Sequence, residues 1–328
     1  MVYRPDHLRV LKQLPFFSVF LKRYQQRARP SEVPIVTHVK KSATSLEIEN
    51  VPRVVSAASK SSGKTIYSFS TTNTKNAVCA MSIIIPTRDQ YRLLKRCVTS
   101  ILKKTTYTDY HLIIIDNNTT DPTACLYLQF LSRHPRIQVI PYIAPFHFAA
   151  MNNMAVQYTN ASSIVFLNND TKVITPNWLE LLLQEAQKDS VGAVGCKLLY
   201  PNNTIQHAGI HYDGSGFPQH LYRHCQRYAT EDADNAQGGE SRAVVAVTGA
   251  CMVVNRTAFE AVGGFDEQFP SNFNDIDLCL KLRQRGYSII YTPHVELYHN
   301  EYASRGEFQE QSQQFSQEWY RFSDKWRQ

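Results

Sequence analysis

The hydrophobic pattern falls into continuous apolar runs separated by amphipathic stretches. MSIIIPT (81–87), HLIIIDNN (111–118) and SSIVFL (162–167) are apolar without alternation, as strands buried on both faces are, and RIQVIPY (136–142) reads as a shorter strand of the same kind. Between the first two, RDQYRLLKRCVTSILKK places Leu93, Leu94, Cys97, Val98, Ile101 and Leu102 on one helical stripe. Helices are also predicted over 122–133 (PTACLYLQFLSR) and about 148–158. Strand and helix in strict alternation predict an α/β fold: a mostly parallel central sheet flanked by helices.

In such sheets ligands bind beyond the carboxyl ends of the strands. Here those ends are polar: Pro86-Thr87-Arg88-Asp89, Asp116-Asn117-Asn118 and Asn168-Asn169-Asp170. Gathered on one rim they make a polar crevice. No Gly-x-Gly-x-x-Gly follows any strand, which disfavours a dinucleotide site.

Four segments follow from the pattern. Residues 1–41 form a basic arm, 42–78 a Ser/Thr-rich linker, 79–306 the folded domain and 307–328 a polar, aromatic-containing helical tail. The tail could close over a ligand, pair with another subunit or precede a further domain. Residues 1–30 carry seven Lys and Arg side chains against Asp6 alone, so they hold most of the net charge of +7 and leave the body near neutrality. A nucleic-acid-binding face on the body is thereby disfavoured. Val10, Leu14, Phe17 and Leu21 recur at helical spacing in the same arm, a pattern suited to peripheral contact with an anionic membrane or to docking on a protein, although Pro15 interrupts it. LPFFSVFL (14–21) is too short to span a bilayer. Seven cysteines without a CxxC pair argue against a disulfide framework or zinc site, and a reducing cytoplasm is expected.

Three constellations could carry chemistry. Asp170 closes a strand-end tripeptide, where a carboxylate either satisfies a turn or holds a divalent cation. Asn274 in FNDIDLCLKLRQRGY reads as a helix N-cap, with Asp275 and Asp277 in the first turn. The helix field there favours an ionised Asp275, as a general base requires. His294 and His299 follow the strand SIIYT. His207, His211, His220 and His224 lie in the 202–245 loop at spacings matching no standard zinc pattern.

Taken in order, SIIIPTRD, IIIDNNTTD, PFHFAAMNN, FLNNDTKV, IQHAGI, VTGACMVV, VGGFDE, FNDIDLCLKLRQRGY and ELYHNEYASRG resemble the family 2 glycosyltransferases of GT-A fold, and most of all their bacterial rhamnosyltransferase-like, cell-surface polysaccharide branch. The resemblance covers about 80–306. It implies that Pro86, Thr87, Arg88, Asp116, Asn153 and Asn169 bind the nucleotide, that Asp170 and His299 hold a divalent Mn or Mg ion, and that Asp275 is the catalytic base. It also implies that Gly249, Asn274 and Asp277 lie toward the sugar or acceptor. The donor would be a nucleotide-diphosphate sugar, the acceptor a glycan or lipid-linked hydroxyl, and transfer would invert the anomeric carbon. Two positions depart from the family pattern. Asn168 stands where the first Asp of Asp-x-Asp is expected, and Asn274 where an acid often precedes the base; each removes a negative charge, which weakens metal affinity and puts metal dependence in question. Two other functions compete. A sugar nucleotidyltransferase needs a glycine-rich, lysine-containing loop that IPTRDQ does not supply, and a non-catalytic nucleotide-sugar-binding or scaffolding protein would tolerate Asn168 and Asn274.

Overall fold

A computed structural model describes residues 79–227, 239–300 and 308–327, together with two short strand pieces at 60–61 and 64–65. The basic arm lies outside the described residues, as does most of the linker, in which Lys60–Ser61 pairs antiparallel with Lys64–Thr65. From Met81 onward the alternation read from the sequence is realised as β1 (Met81–Thr87), α1 (Tyr91–Lys104), β2 (Tyr110–Asp116), α2 (Pro122–Leu131), β3 (Ile137–Pro141), α3 (Phe148–Val156) and β4 (Ser163–Leu167). There follow β5 (Thr171–Val173), α4 (Trp178–Ala186), β6 (Val191–Leu199), β7 (Ile205–His207), β8 (Ile210–Tyr212), β9 (Pro218–His220) and β10 (Arg242–Ala243). The chain continues through β11 (Cys251–Asn255), α5 (Arg256–Ala261), α6 (Asn274–Gln284) and β12 (Ser288–His299) to α7 (Phe308–Trp326).

The principal sheet runs β10-β12-β6-β11-β4-β1-β2-β3, with β5 paired to β12 and β7 to β6. It is parallel through β3, β2, β1 and β4 and again between β6 and β12. β11 enters antiparallel between β4 and β6, so the second half is mixed. Because side chains alternate along a strand, neighbouring isoleucines serve opposite cores. Ile84, Ile113 and Ile115 pack with α3, α5 and α6, while Ile83, Ile85 and Ile114 pack with α1, α2 and α4. Both faces are covered, which is why the strands read as unbroken apolar runs.

Two features of this sheet position the polar rim. β1 has β2 on one side and β4 on the other, so the winding reverses beside it and opens a crevice at the ends of β1 and β4. Beyond a register shift between Thr292 and Glu296, β12 extends to pair with β5, with His299 opposite Thr171. The tail predicted over 307–328 is part of the domain: Phe322 of α7 is buried in the core shared by α3, α5 and α6.

Gly195, in the middle of β6, has no room for a side chain. A Cβ there would stand 2.5 Å from Val247 Cβ. Gly195→Ala is expected to cost about 1–3 kcal/mol through overpacking, read as a lower urea midpoint with unchanged m-value.

Candidate active site

The ends of β1, β2 and β3 are tied together by polar side chains. Asp89, at φ 53°, accepts the backbone N–H groups of Thr120 and Asp121 on its Oδ1. Asp116 Oδ1 accepts from Thr119 N at 3.0 Å. Asn117 Nδ2 donates to the carbonyls of Tyr142 and Ala144. Pro86 and Thr87 form the buried end of β1, while Arg88 projects to solvent with its Nε 3.6 Å from Asp89. Across the reversal point Asn169 Nδ2 donates to Thr87 Oγ1 at 2.9 Å, joining the end of β1 to the turn after β4.

That turn carries Asp170, which is only 2% exposed. Asp170 Oδ1 makes no hydrogen bond, although His299 Nε2 lies 3.2 Å away. On the far side of the ring His299 Nδ1 is 2.7 Å from Gln206 Oε1. An amide oxygen only accepts, so Nδ1 donates to it and Nε2 is the ring nitrogen turned to the carboxylate. Asn168 Nδ2 reaches the same Nε2 at 3.3 Å. Gln206 was not identified from the sequence; a buried carboxamide beside a histidine in IQH was the available signal.

Asp275 stands at the start of α6 and is half-buried. Its Oδ2 accepts from Gly249 N at 2.8 Å and its Oδ1 from Ile276 N at 2.9 Å. Gly249 packs close, since a Cβ on it would lie 3.4 Å from Asp275 Cβ and from the Phe148 ring. The next residue closes the circuit: Ala250 O accepts from Asn168 N at 3.0 Å. One dipeptide thus bridges Asp275 and the turn bearing Asp170, bringing together groups more than a hundred residues apart in sequence.

Several sequence expectations change here. The helix field was expected to hold Asp275 ionised, but burial is the larger influence and pushes its pKa up, opposed by the Gly249 and Ile276 amides and the Thr248 hydroxyl. Asn274 is not the N-cap. Phe273 occupies that position in the left-handed region at φ 60° and supplies no capping side chain, while Asn274 is buried within the first turn. Asp277, expected toward sugar or acceptor, is wholly buried and turned to α7, its Oδ1 2.7 Å from Lys325 Nζ and 2.9 Å from Trp326 Nε1. Asn153, expected at the nucleotide, instead braces the segment after α5, bonding to both the N–H and the carbonyl of Phe265 and to Glu267. Of the four loop histidines two meet and the others lie apart from them. His207 and His220 share a 2.8 Å Nδ1–Nδ1 contact, while His224 stacks on Tyr200. Among the described residues no group of three His, Cys, Asp or Glu side chains forms a metal cluster.

A family model described as glycosyltransferase like family 2 matches residues 79–320. The chain is 40% identical over 229 residues to uncharacterized protein y4gI of Sinorhizobium fredii and 37% identical over 229 residues to O-antigen biosynthesis protein RfbC of Myxococcus xanthus. Each alignment covers 69% of this chain but only 25% and 18% of those longer proteins. Among solved structures, the mannosyltransferase PcManGT of Pyrobaculum calidifontis, in complex with GDP-Man and Mn2+, superposes with a TM-score of 0.54 at 16% identity, covering 74% of this chain and 64% of that one. The likeness establishes the nucleotide-sugar transferase fold.

The environments of two aspartates separate their titrations. Asp275 is expected to titrate above the ordinary 3.8, because burial outweighs its hydrogen bonds, whereas Asp213, bonded first by the Ser215 hydroxyl, is pulled down to about 2. Since the folded state binds the Asp275 proton more tightly than the unfolded chain does, its contribution to stability declines as pH rises from the ordinary value through the raised one. Carboxyl-carbon NMR checks this; an Asp275 midpoint at or below 3.8 would show the helix field prevailing.

Proposed function

This chain belongs to the family 2 glycosyltransferases, and we propose that it moves a sugar from a nucleotide-diphosphate donor to a hydroxyl of a glycan or lipid-linked acceptor in surface polysaccharide synthesis, with inversion at the anomeric carbon. The observation that carries the proposal is the bridge from Asp275 through Gly249 and Ala250 to the turn holding Asp170 and His299. A proton acceptor and a pair of potential ligand atoms, one of them an unsatisfied carboxylate oxygen, are what direct displacement from a diphosphate requires.

A divalent cation fits the residues present. Asp170 Oδ1 is a buried carboxylate oxygen without a donor, and Gln206 orients the His299 ring so that Nε2 faces it. These two atoms would hold the ion, and when bound it would offset the negative charge developing on the departing diphosphate. Two protein donors would leave the remaining positions to phosphate oxygens and water, and the imidazole nitrogen among them suits Mn2+ better than Mg2+, which prefers oxygen ligands.

Asp275 takes the proton of the attacking hydroxyl. Its raised pKa makes it a stronger base than an exposed aspartate, and the Gly249 amide fixes the carboxylate plane. Pro86, Thr87, Arg88 and Asp116 face the nucleotide, Asn169 supports Thr87, and Gly249 leaves space for sugar or acceptor. Asn168 and Asn274 give some weight to a second function, a non-catalytic binder of the same nucleotide sugar.

Asp275→Asn is expected to lower turnover by about 10²–10⁴-fold with donor affinity unchanged, measured as nucleoside diphosphate released from a panel of nucleotide sugars in the presence of Mn2+. Turnover within a few-fold of wild type in a folded variant would remove Asp275 from the role. Absence of any release by the wild-type chain across the panel would favour the non-catalytic binder. Asp170→Ala and His299→Ala are each expected to abolish the extra thermal stabilisation that Mn2+ adds to a bound nucleoside diphosphate, measured against each variant's own ligand-free melting temperature.

A further inference from the structure

The first turn of α6 has no local cap. Phe273 precedes it in the left-handed region and offers no hydrogen-bonding group, so the chain entering the helix is unsupported by its own sequence. Support comes from 45 residues further on. Glu318 of α7 is 1% exposed, and its Oε2 accepts from the backbone N–H groups of Ser271 at 3.2 Å and Asn272 at 2.6 Å. Asn272 Nδ2 reaches the other oxygen at 3.4 Å.

The same helix grips the turn at two further points. Phe273 is packed among Phe315, Trp319 and Phe322, its ring centroid 5.2, 5.5 and 5.1 Å from theirs. Lys325 and Trp326 hold the buried carboxylate of Asp277, two residues beyond Asp275. Asp275 therefore sits between two anchors, and both anchors belong to α7.

We propose that α7 is a built-in clamp that sets the position of Asp275 against Gly249, with Glu318 as its principal positioning residue. Glu318 ties down the backbone N–H groups of the two residues that lead into Phe273, and the aromatic cluster holds Phe273 in the conformation that starts the helix one residue before Asp275. Glu318 touches no reacting group and acts only through the 271–275 segment. The effect on turnover rests on the assignment of Asp275 as base; the effect on geometry does not.

The test is Glu318→Gln in the full chain, read by hydrogen exchange at the Gly249 amide, whose acceptor is Asp275 Oδ2, and by steady-state donor turnover. Exchange at Gly249 is expected to quicken about tenfold. In parallel kcat is expected to fall about tenfold with donor KM unchanged, and Glu318→Ala to fall further than the conservative Gln. A folded Glu318→Gln chain with wild-type Gly249 exchange would overturn the clamp. Faster exchange with wild-type turnover would uphold the clamp and instead count against Asp275 as the base. Should Glu318 variants not fold, Trp326→Phe, which keeps an aromatic ring but removes the indole donor to Asp277, is expected to quicken Gly249 exchange in the same direction, and unchanged exchange there would equally overturn the clamp.

Discussion

A buried carboxylate oxygen and an imidazole nitrogen are held 3.2 Å apart, close enough for one cation to engage both. Everything around Asp170 and His299 serves to keep them there. The β5–β12 ladder sets His299 opposite Thr171, and Asn300 N donates to Asp170 O at 3.1 Å, so backbone pairing fixes both α-carbons before any side chain acts. Gln206 then fixes the ring, closing the rotation that would let His299 Nδ1 turn toward the carboxylate. A slip of one residue between β5 and β12 would send His299 to the other face of the strand and dissolve the pair. The length of β12, twelve residues against nine for its parallel neighbour β6, reflects this second duty beyond the sheet.

Asp275 shows a different balance of forces. A helix N-terminus favours a negative charge by about 0.3–1 kcal/mol at an exposed position, but here surrounding protein removes water from the carboxylate and the desolvation prevails. An aromatic residue at φ 60° is also unfavourable, by about 1–3 kcal/mol. Such a conformation persists only where the surroundings determine it, and the rings of Phe217, Phe315, Trp319 and Phe322 around Phe273 do so. Desolvated charge and backbone strain occur together at the same turn, and both are maintained by tertiary contacts.

This explains what could be read from the chain and what could not. The isoleucine strands and the Leu94–Cys97–Val98–Ile101 stripe were legible because local period alone decides them. Asp170, Asp275 and His299 stood out through the family resemblance, while the contact of Asp170 with His299 is a tertiary fact. The direction of β11 was not legible, since an apolar run carries no sign of parallel or antiparallel pairing. Asp277 and Asn153 share residue types with ligand-binding groups, and nothing local distinguishes a carboxylate that meets a ligand from one that meets Lys325. Glu318 lies in a polar segment, and only the approach of α7 to Ser271 and Asn272 gives it meaning.

The neutral residues at 168 and 274 fit the same physical account. With Asn168 in place of a carboxylate, the turn carries a single formal negative charge, and its Nδ2 contact to His299 Nε2 is a contact that an aspartate could not donate. A cation meeting only Asp170 and His299 finds too little protein charge to be retained strongly by itself. The diphosphate of a donor brings the missing charge and oxygen ligands, so in the proposed reaction cation and donor would bind interdependently, each raising the affinity of the other by the same factor. Asn274, buried beside an already desolvated Asp275, avoids a second carboxylate where like charge would raise the cost of ionising the first. Read this way, the two carboxamides lower the standing charge of the crevice without removing any of the three groups on which the proposed transfer depends.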